Sequence, residues 1–373
     1  MSDFNEDTVE QAALDCFRDL GYTVRYGPDI EPEASDALRQ SFDEVVLRDP
    51  LRAALDRINT HIPAAVRGAV IESAIRKATH TETTHPIVNN AAFHRMLVEG
   101  VDVTYKHAGQ TVHDKVWLVD FDHPEANDFL AVNQFTVTGV NATTRARTNR
   151  RPDVVVFVNG LPLAVIELKN PGDANATLTQ AYNQLQTYKD DIAQLFVYNE
   201  GLVISDGTEA RMGTLAAGFE WFKPWRTIDG KSLAPESQPQ LEVLIRGALA
   251  PSIFLDMIRY FTVFESDGHS IKAKKTALYH QYHAVNKAVE STVTAASPEG
   301  DQRAGVIWHT QGSGKSLSML FYAGKIIQHP AMANPTLVIL TDRNDLDDQL
   351  FGVFATGQEL LRQAPVQAAN RGH

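Results

Sequence analysis

Asp153, Glu167 and Lys169 have the types and spacing of a phosphodiester-cleaving site. Asp153 follows Pro152 and leads the apolar run Val154–Val158, and Glu167-Leu168-Lys169 closes the next apolar run. Asn159-Gly160 lies between the runs, the strongest short-range hairpin signal. Successive side chains of a strand alternate faces, so Glu167 and Lys169 point the same way. Two carboxylates at a sheet end supply the hard oxygen ligands that suit Mg²⁺, and a neighbouring ammonium can orient a water and ease its deprotonation. The register decides whether they meet. A regular hairpin with a two-residue Asn159-Gly160 loop pairs Asp153 with Ile166 and throws Asp153 and Glu167 onto opposite faces. The site therefore requires a loop of odd length or a β-bulge.

Other residues can serve the same centre. Gln184 and Tyr188 share one face of the following helix and can hydrogen-bond a phosphate or a bound water. Glu10 lies near the buried edge of the first helix, an unusual place for a carboxylate without a partner. Arg145, Arg147, Arg150 and Arg151 come just before Asp153, and no acidic residue occurs between Asp128 and Asp153. Arginines beside a metal site suit a phosphate backbone. Separately, His309-Thr-Gln-Gly-Ser-Gly-Lys-Ser316 has a phosphate-loop core, with His309 where a first glycine is usual. Gly312, Ser313, Gly314 and Lys315 would cradle phosphates through backbone N–H groups and the lysine, and the Ser316 hydroxyl would bind Mg²⁺.

These residues need a frame. Helical spacing predicts a helix over 8–20 and a mainly helical 36–98. Strand-like runs follow at 101–105, 116–121, 129–137, 154–158 and 163–168. A helix is expected over 176–192, then strands at 195–198 and 202–205. The Pro/Ser/Gly-rich stretch 227–240 marks a domain boundary, and helical segments resume from 241 to about 264. A second α/β unit follows: helix 278–291, strand 305–309, helix 315–328 and strand 336–341. The expected fold is α/β, a mixed sheet covered by helices with a phosphate-loop unit after it.

Composition narrows the functional classes. The 373 residues are 43% hydrophobic, enough for more than one core. A net charge of −12 argues against coating nucleic acid by bulk charge and leaves room for a local basic site. The only cysteine, Cys16, excludes an intramolecular disulfide and a multi-cysteine zinc site, and fits a reducing cytoplasm. No apolar stretch is long enough to span a bilayer. His80 and His85 lack the context of a zinc site, His280 and His283 flank a glutamine rather than a metal, and Trp221 and Trp225 fit packing at a domain edge.

Together the motifs resemble the N-terminal part of the R subunit of type I restriction enzymes. Pro152-Asp153, Glu167-Leu-Lys169 and Gln184-x-x-x-Tyr188 resemble its PD-(D/E)xK nuclease pattern. Trp308 to Ser316 is similar to its first helicase motif, including the histidine, and Leu340 to Gln349 resembles the next. Tyr279-His-Gln-Tyr-His resembles the upstream glutamine motif, in which Gln281 would read the adenine edge of ATP. The resemblance implies a PD-(D/E)xK endonuclease domain over 1–235, a helical connector over 236–275 and an incomplete RecA-like P-loop domain over 276–373. It also implies Mg²⁺ and ATP as cofactors, double-stranded DNA as substrate, methylation and specificity subunits as partners, and ATP-driven translocation before cleavage. No Asp-Glu-x-His segment follows Ser316, so this chain should lack the parts that activate water for ATP hydrolysis. A nuclease–helicase fusion of another defence or repair system, and a silent DNA-binding docking fragment, are the alternatives.

Overall fold

The polypeptide is described from a computed structural model covering residues 6–81, 85–169, 177–266 and 270–368. It divides into two units, Met1–Leu255 and Asp256–His373.

The first unit opens with helix α1 (Glu6–Asp19) and strand β1 (Thr23–Tyr26). Three helices follow: α2 (Arg48–Ile58), α3 (Ala64–Ala78) and α4 (Pro86–Glu99). A hairpin, β2 (Val101–His107) with β3 (Gln110–Val116), precedes β4 (Phe129–Asn133) and a second ribbon, β5 (Val137–Val140) with β6 (Arg147–Arg150). Then come β7 (Val154–Val158), β8 (Leu161–Leu168), α5 (Leu178–Asp191), the short α6 (Ala193–Phe196), β9 (Gly201–Ser205), β10 (Ala210–Gly213) and α7 (Gln240–Ala248). Helix α8 (Pro251–Tyr260) carries the division between the units.

The main sheet runs β1-β4-β7-β8-β9-β10. The pairs β1–β4 and β8–β9 are parallel, while β4–β7, β7–β8 and the edge pair β9–β10 are antiparallel. Every residue of β7 and β8 is buried. Helices covering both faces explain why these strands read as continuous apolar runs rather than alternations.

The bulge that the site requires is present. Val158 pairs with Leu161 and Phe157 with Pro162, but Val156 pairs with Ala164, which leaves Leu163 as the extra residue. Pro162 has no N–H for a ladder, and prolines in sheets are confined to edges and bulges. The Leu163 carbonyl is used on the other side, by Glu200 N at 2.6 Å. The turn itself keeps two residues, Asn159 (φ 51°) and Gly160 (φ 80°). It is buried beneath the start of α2: the Gly160 carbonyl accepts from Leu47 N, and a Cβ at Gly160 would lie 2.5 Å from the Leu47 oxygen.

Several expectations fail for physical reasons. The run 116–121 is a strand only at its first residue. Its backbone is held instead by amide side chains, Asn59 bonding Trp117 N and O and Asn159 donating to Leu118 O. The run 129–137 is cut by Gln134, whose φ of 56° ends β4 and sends β5 into another sheet. The apolar run 195–198 gives not a strand but the helix α6 and a turn, because four apolar residues carry no period. Ala176, the expected start of the α5 helix, lies outside the described residues.

The second unit holds a hairpin, β11 (Thr262–Ser266) with β12 (Ile271–Thr276), where helix was expected to about 264. Helices α9 (Tyr279–Ala296), α10 (Lys315–Gln328), α11 (Asn344–Thr356) and α12 (Gln358–Leu361) follow. Inside it Lys325 is paired with Asp256 at 2.6 Å and with Asn286 at 2.7 Å. The expected strands 305–309 and 336–341 do not form: both segments lack a paired neighbour among the described residues, and Val306, Trp308 and Leu340 are 95%, 92% and 88% exposed.

Candidate active site

Upstream of the bulge the register runs Val154 to Ile166, so one step further Asp153 stands across from Glu167 on the same face. Both carboxylates are buried, at 7% and 2% exposure. Asp153 Oδ2 accepts from Leu168 N at 2.6 Å, which ties the end of β7 to the Glu-Leu-Lys segment. Lys169 Nζ donates to Glu167 Oε1 at 2.5 Å, and Lys169 N is fixed by the Ser205 carbonyl at the end of β9.

Helix α5 brings Gln184 and Tyr188 to this centre. Thr177 caps it, its hydroxyl accepting from Gln180 N. The Tyr188 phenol lies close enough to Glu167, Asp153 and Gln184 to feel their charge and dipoles, and donates a long hydrogen bond to the Arg151 carbonyl at 3.4 Å. Burial, and then the Glu167 and Asp153 carboxylates, push its pKa far above the ordinary phenol value, so it stays a neutral donor.

Glu10 reaches the site indirectly. Its two oxygens accept from Asn133 Nδ2 at 2.7 Å and from Gln134 Nε2. Gln134 N in turn donates to the Asp153 carbonyl at 2.9 Å. Glu10 is thus held beside Asp153 by the end of β4. Asp7, Glu10, Tyr26, Gln134, Arg151 and Asp153 line a polar cavity of about 420 Å³. Asn133 and Gln134 escaped the sequence reading because neutral amides leave no mark in a charge pattern; their place directly after a buried strand was the one available signal.

The four arginines separate. Arg145 and Arg147 are exposed, and Arg151 lines the cavity. Arg150 is paired with the buried Asp191, Nε to Oδ2 at 2.6 Å. Arg147 and Arg150 begin and end strand β6, whose polar sequence gives no apolar alternation to detect.

The donor set suits a hard divalent cation. Two buried carboxylates face one ammonium, and the remaining negative charge in a low-dielectric place favours a cation. Among the described residues no three Asp, Glu, His or Cys side chains cluster as metal ligands. Two carboxylates such as Asp153 and Glu167 are the hard oxygen ligands that suit Mg²⁺ and would leave the rest of its shell to water and phosphate.

In the second unit the loop before α10 turns through Gly312 (φ 80°) and Gly314 (φ 76°), with Gly314 as the N-cap and Ser316 in the first turn. Lys315 Nζ is folded back onto the His309 and Thr310 carbonyls, each at 2.9 Å. Ser313 is tied to Thr310 by its hydroxyl. Gln281 is buried, accepting from Leu278 N and donating to the Ser313 and Gly314 carbonyls, so its amide holds the loop. His309 has its pKa lowered by burial and by the neighbouring His280 and Lys315. The loop–helix half of the expected strand–loop–helix context is present and the strand half is not.

Of the smaller signals, Trp225 is buried while Trp221 is 68% exposed. No helix among the described residues is long and apolar enough to cross a membrane.

Residues 3–221 match the family described as the type I restriction enzyme R protein N terminus, and residues 280–373 match that of the SWI2/SNF2 ATPases. The type I restriction enzyme HindI endonuclease subunit of Haemophilus influenzae is 45% identical over 369 residues, 98% of this chain and 34% of that protein. The putative type I restriction enzyme MjaIXP endonuclease subunit of Methanocaldococcus jannaschii is 33% identical over 375 residues, 94% of this chain and 34% of that protein. The chain thus spans about a third of the length of these relatives.

Proposed function

The chain belongs to the family of type I restriction enzyme R protein N termini, and from that premise we propose that its sheet-end centre hydrolyses DNA phosphodiesters with Mg²⁺. One observation carries the reading: the bulge at Leu163 sets Asp153 opposite Glu167, with Lys169 two residues on. Asp153 and Glu167 would hold the ion. When bound, it would neutralise charge on the scissile phosphate and lower the pKa of a water. Lys169, beside Glu167, would orient the attacking water and ease its deprotonation. Tyr188 donates a hydrogen bond toward the carboxylates, and Gln184 fixes the phenol. Glu10, fastened by Asn133 and Gln134, keeps α1 in place beside Asp153.

The phosphate loop is the second part of the proposal. Gly312 to Lys315 bind ATP phosphates once Lys315 leaves the His309 and Thr310 carbonyls, and Ser316 supplies a hydroxyl to the accompanying Mg²⁺. Gln281 sets the loop and borders the adenine. The relatives are named endonuclease subunits of type I restriction enzymes, which supports a restriction-subunit role. We extend this to double-stranded DNA as substrate, methylation and specificity subunits as partners, and the cytoplasm as its place.

Plasmid cleavage with Mg²⁺, compared for the wild type, Glu167→Gln and Lys169→Ala, tests the centre, and calorimetric titration of Mg²⁺ reads ion binding without turnover. Cleavage and Mg²⁺ binding that both survive Glu167→Gln would sink the assignment.

A further inference from the structure

The β5–β6 ribbon carries two exposed arginines, Arg145 at its tip and Arg147 on β6. In β6 the two faces do different work. Thr148 and Arg150 turn to the end of α5: Thr148 Oγ1 donates to the Asp191 carbonyl at 2.6 Å and Arg150 Nε to the Asp191 carboxylate at 2.6 Å. Arg147 and Asn149 alternate with them and are exposed. The mount is close, since a Cβ at Gly139 would lie 2.4 Å from the Asp191 carbonyl oxygen. Asn141 Nδ2 bonds the same carboxylate at 2.6 Å, while its Oδ1 accepts from Thr143 N and Thr144 N. Asn141 N closes the tip on the Ala146 carbonyl. The tip is therefore pre-shaped before any ligand arrives.

Arg145 sits at this tip with φ 60°, a conformation in which glycine would be relaxed. An exposed arginine kept there is useful for its side chain. Between Asp128 and Asp153 the chain has no acidic residue, although the whole chain carries −12. The other ribbon, β2–β3, offers the contrast: Asp102, Lys106, Asp114 and Lys115 mix both signs along it.

We propose that the β5–β6 ribbon is an arm that grips the phosphates of duplex DNA through Arg145 and Arg147, with Asp191 and Arg150 as its mount. The inference rests on the nuclease reading of the neighbouring centre, because α5 carries both the mount and Gln184 and Tyr188. The arm reads charge and shape, not bases, and a two-stranded ribbon is narrow enough to enter a major groove.

The test is fluorescence anisotropy of the full chain on a short blunt duplex in EDTA, where no cleavage occurs, over a salt series. The wild type binds, and log K falls with log salt. The Arg145→Gly/Arg147→Thr variant binds more weakly and loses about 2 from the magnitude of that slope, roughly one per phosphate contact. Lys106→Thr on the other ribbon leaves the slope unchanged. Arg145→Gly alone keeps or raises the melting temperature, which separates lost contacts from lost folding. No duplex binding by the wild type, an unchanged slope in the double variant, or tighter binding of the single strand would each overturn the arm. Failure of the nuclease reading appears elsewhere, as absent cleavage and absent Mg²⁺ binding with this salt dependence intact.

Discussion

The centre of the first unit and the phosphate-loop region of the second contain the same kind of apolar run with opposite outcomes. Val154–Val158 and Leu161–Leu168 are strands with every residue buried. The runs 305–309 and 336–341 have the apolar composition of strands and stay unpaired, Trp308 at 92% and Leu340 at 88% exposure. An apolar run is a strand only when a neighbour takes its N–H and C=O groups and a helix covers its side chains. Helices depend less on such neighbours, because their hydrogen bonds are internal. That is why α10 forms over Lys315–Gln328 while the strand expected before its loop does not.

The contrast can be broken in order of effect. The largest change is expected at the centre. Lys169→Ala should slow plasmid cleavage by roughly 10²–10⁴-fold if the lysine assists proton transfer. Glu167→Gln should abolish cleavage yet raise the melting temperature, since it removes a buried charge held for function; a lower melting temperature would show the carboxylate to be structural. Next is Gly160→Ala, which adds a Cβ 2.5 Å from the Leu47 oxygen at a positive φ. It should cost about 3 kcal/mol in urea unfolding, and an unchanged midpoint would mean that the turn is free of α2.

Lys325→Ala asks whether the second unit has a core of its own. The pair with Asp256 is mostly buried, at 15% and 21% side-chain exposure. Its loss should cost about 3 kcal/mol, the low end for breaking such a pair. In a calorimetric scan a transition belonging to the second unit should move while that of the first stays. A uniform shift of both would erase the distinction between them.

The last expected effect is with pH. Burial lowers Lys189 to about 8 from an ordinary 10.5. The charged form is therefore the costly one in the fold. Stability should be lowest below about pH 8 and should rise toward pH 10.5. Asp191 acts at the other end of the scale: burial opposes its charge, but Asn141 and Arg150 prevail and its pKa lies below the ordinary 3.8. Its contribution is complete above that value and is lost as pH falls through the depressed one. Lys189→Met should flatten the alkaline rise in a pH series of thermal melts and leave the acid limb alone.

Much of the centre was legible because its chemistry uses charged residues inside apolar runs. Asp153, Glu167 and Lys169 stand out for that reason, and the need for a bulge followed from counting residues between them. What supplied the bulge was also in the sequence, as Pro162, but a proline one residue into a strand does not announce which neighbour becomes extra. The amides Asn133 and Gln134, the carboxylate mount Asp191 and the polar strand β6 were illegible. Their roles come from partners far along the chain, such as Glu10 to Asn133, and no periodicity encodes such pairs. Hairpin β11–β12 was missed beside an apolar helix, and α6 was misread because its four residues are too few to show a period.

The buried turn has a consequence for how the molecule ages. Asn159-Gly160 is the only Asn-Gly pair in the chain, and such pairs lose ammonia most readily, when the glycine nitrogen attacks the asparagine side chain. Here the Asn159 amide is spent on Leu118 and Asn127, its oxygen accepts from Asp128 N, and the residue has no solvent exposure. The fold withholds both the rotation and the water that the reaction needs. An unfolded molecule enjoys no such protection, and the aspartate it would acquire has to re-enter a fully buried place as a charge. Time spent unfolded is thus recorded covalently at one dipeptide, and each damaged copy is barred from the hairpin that carries Asp153 and Glu167.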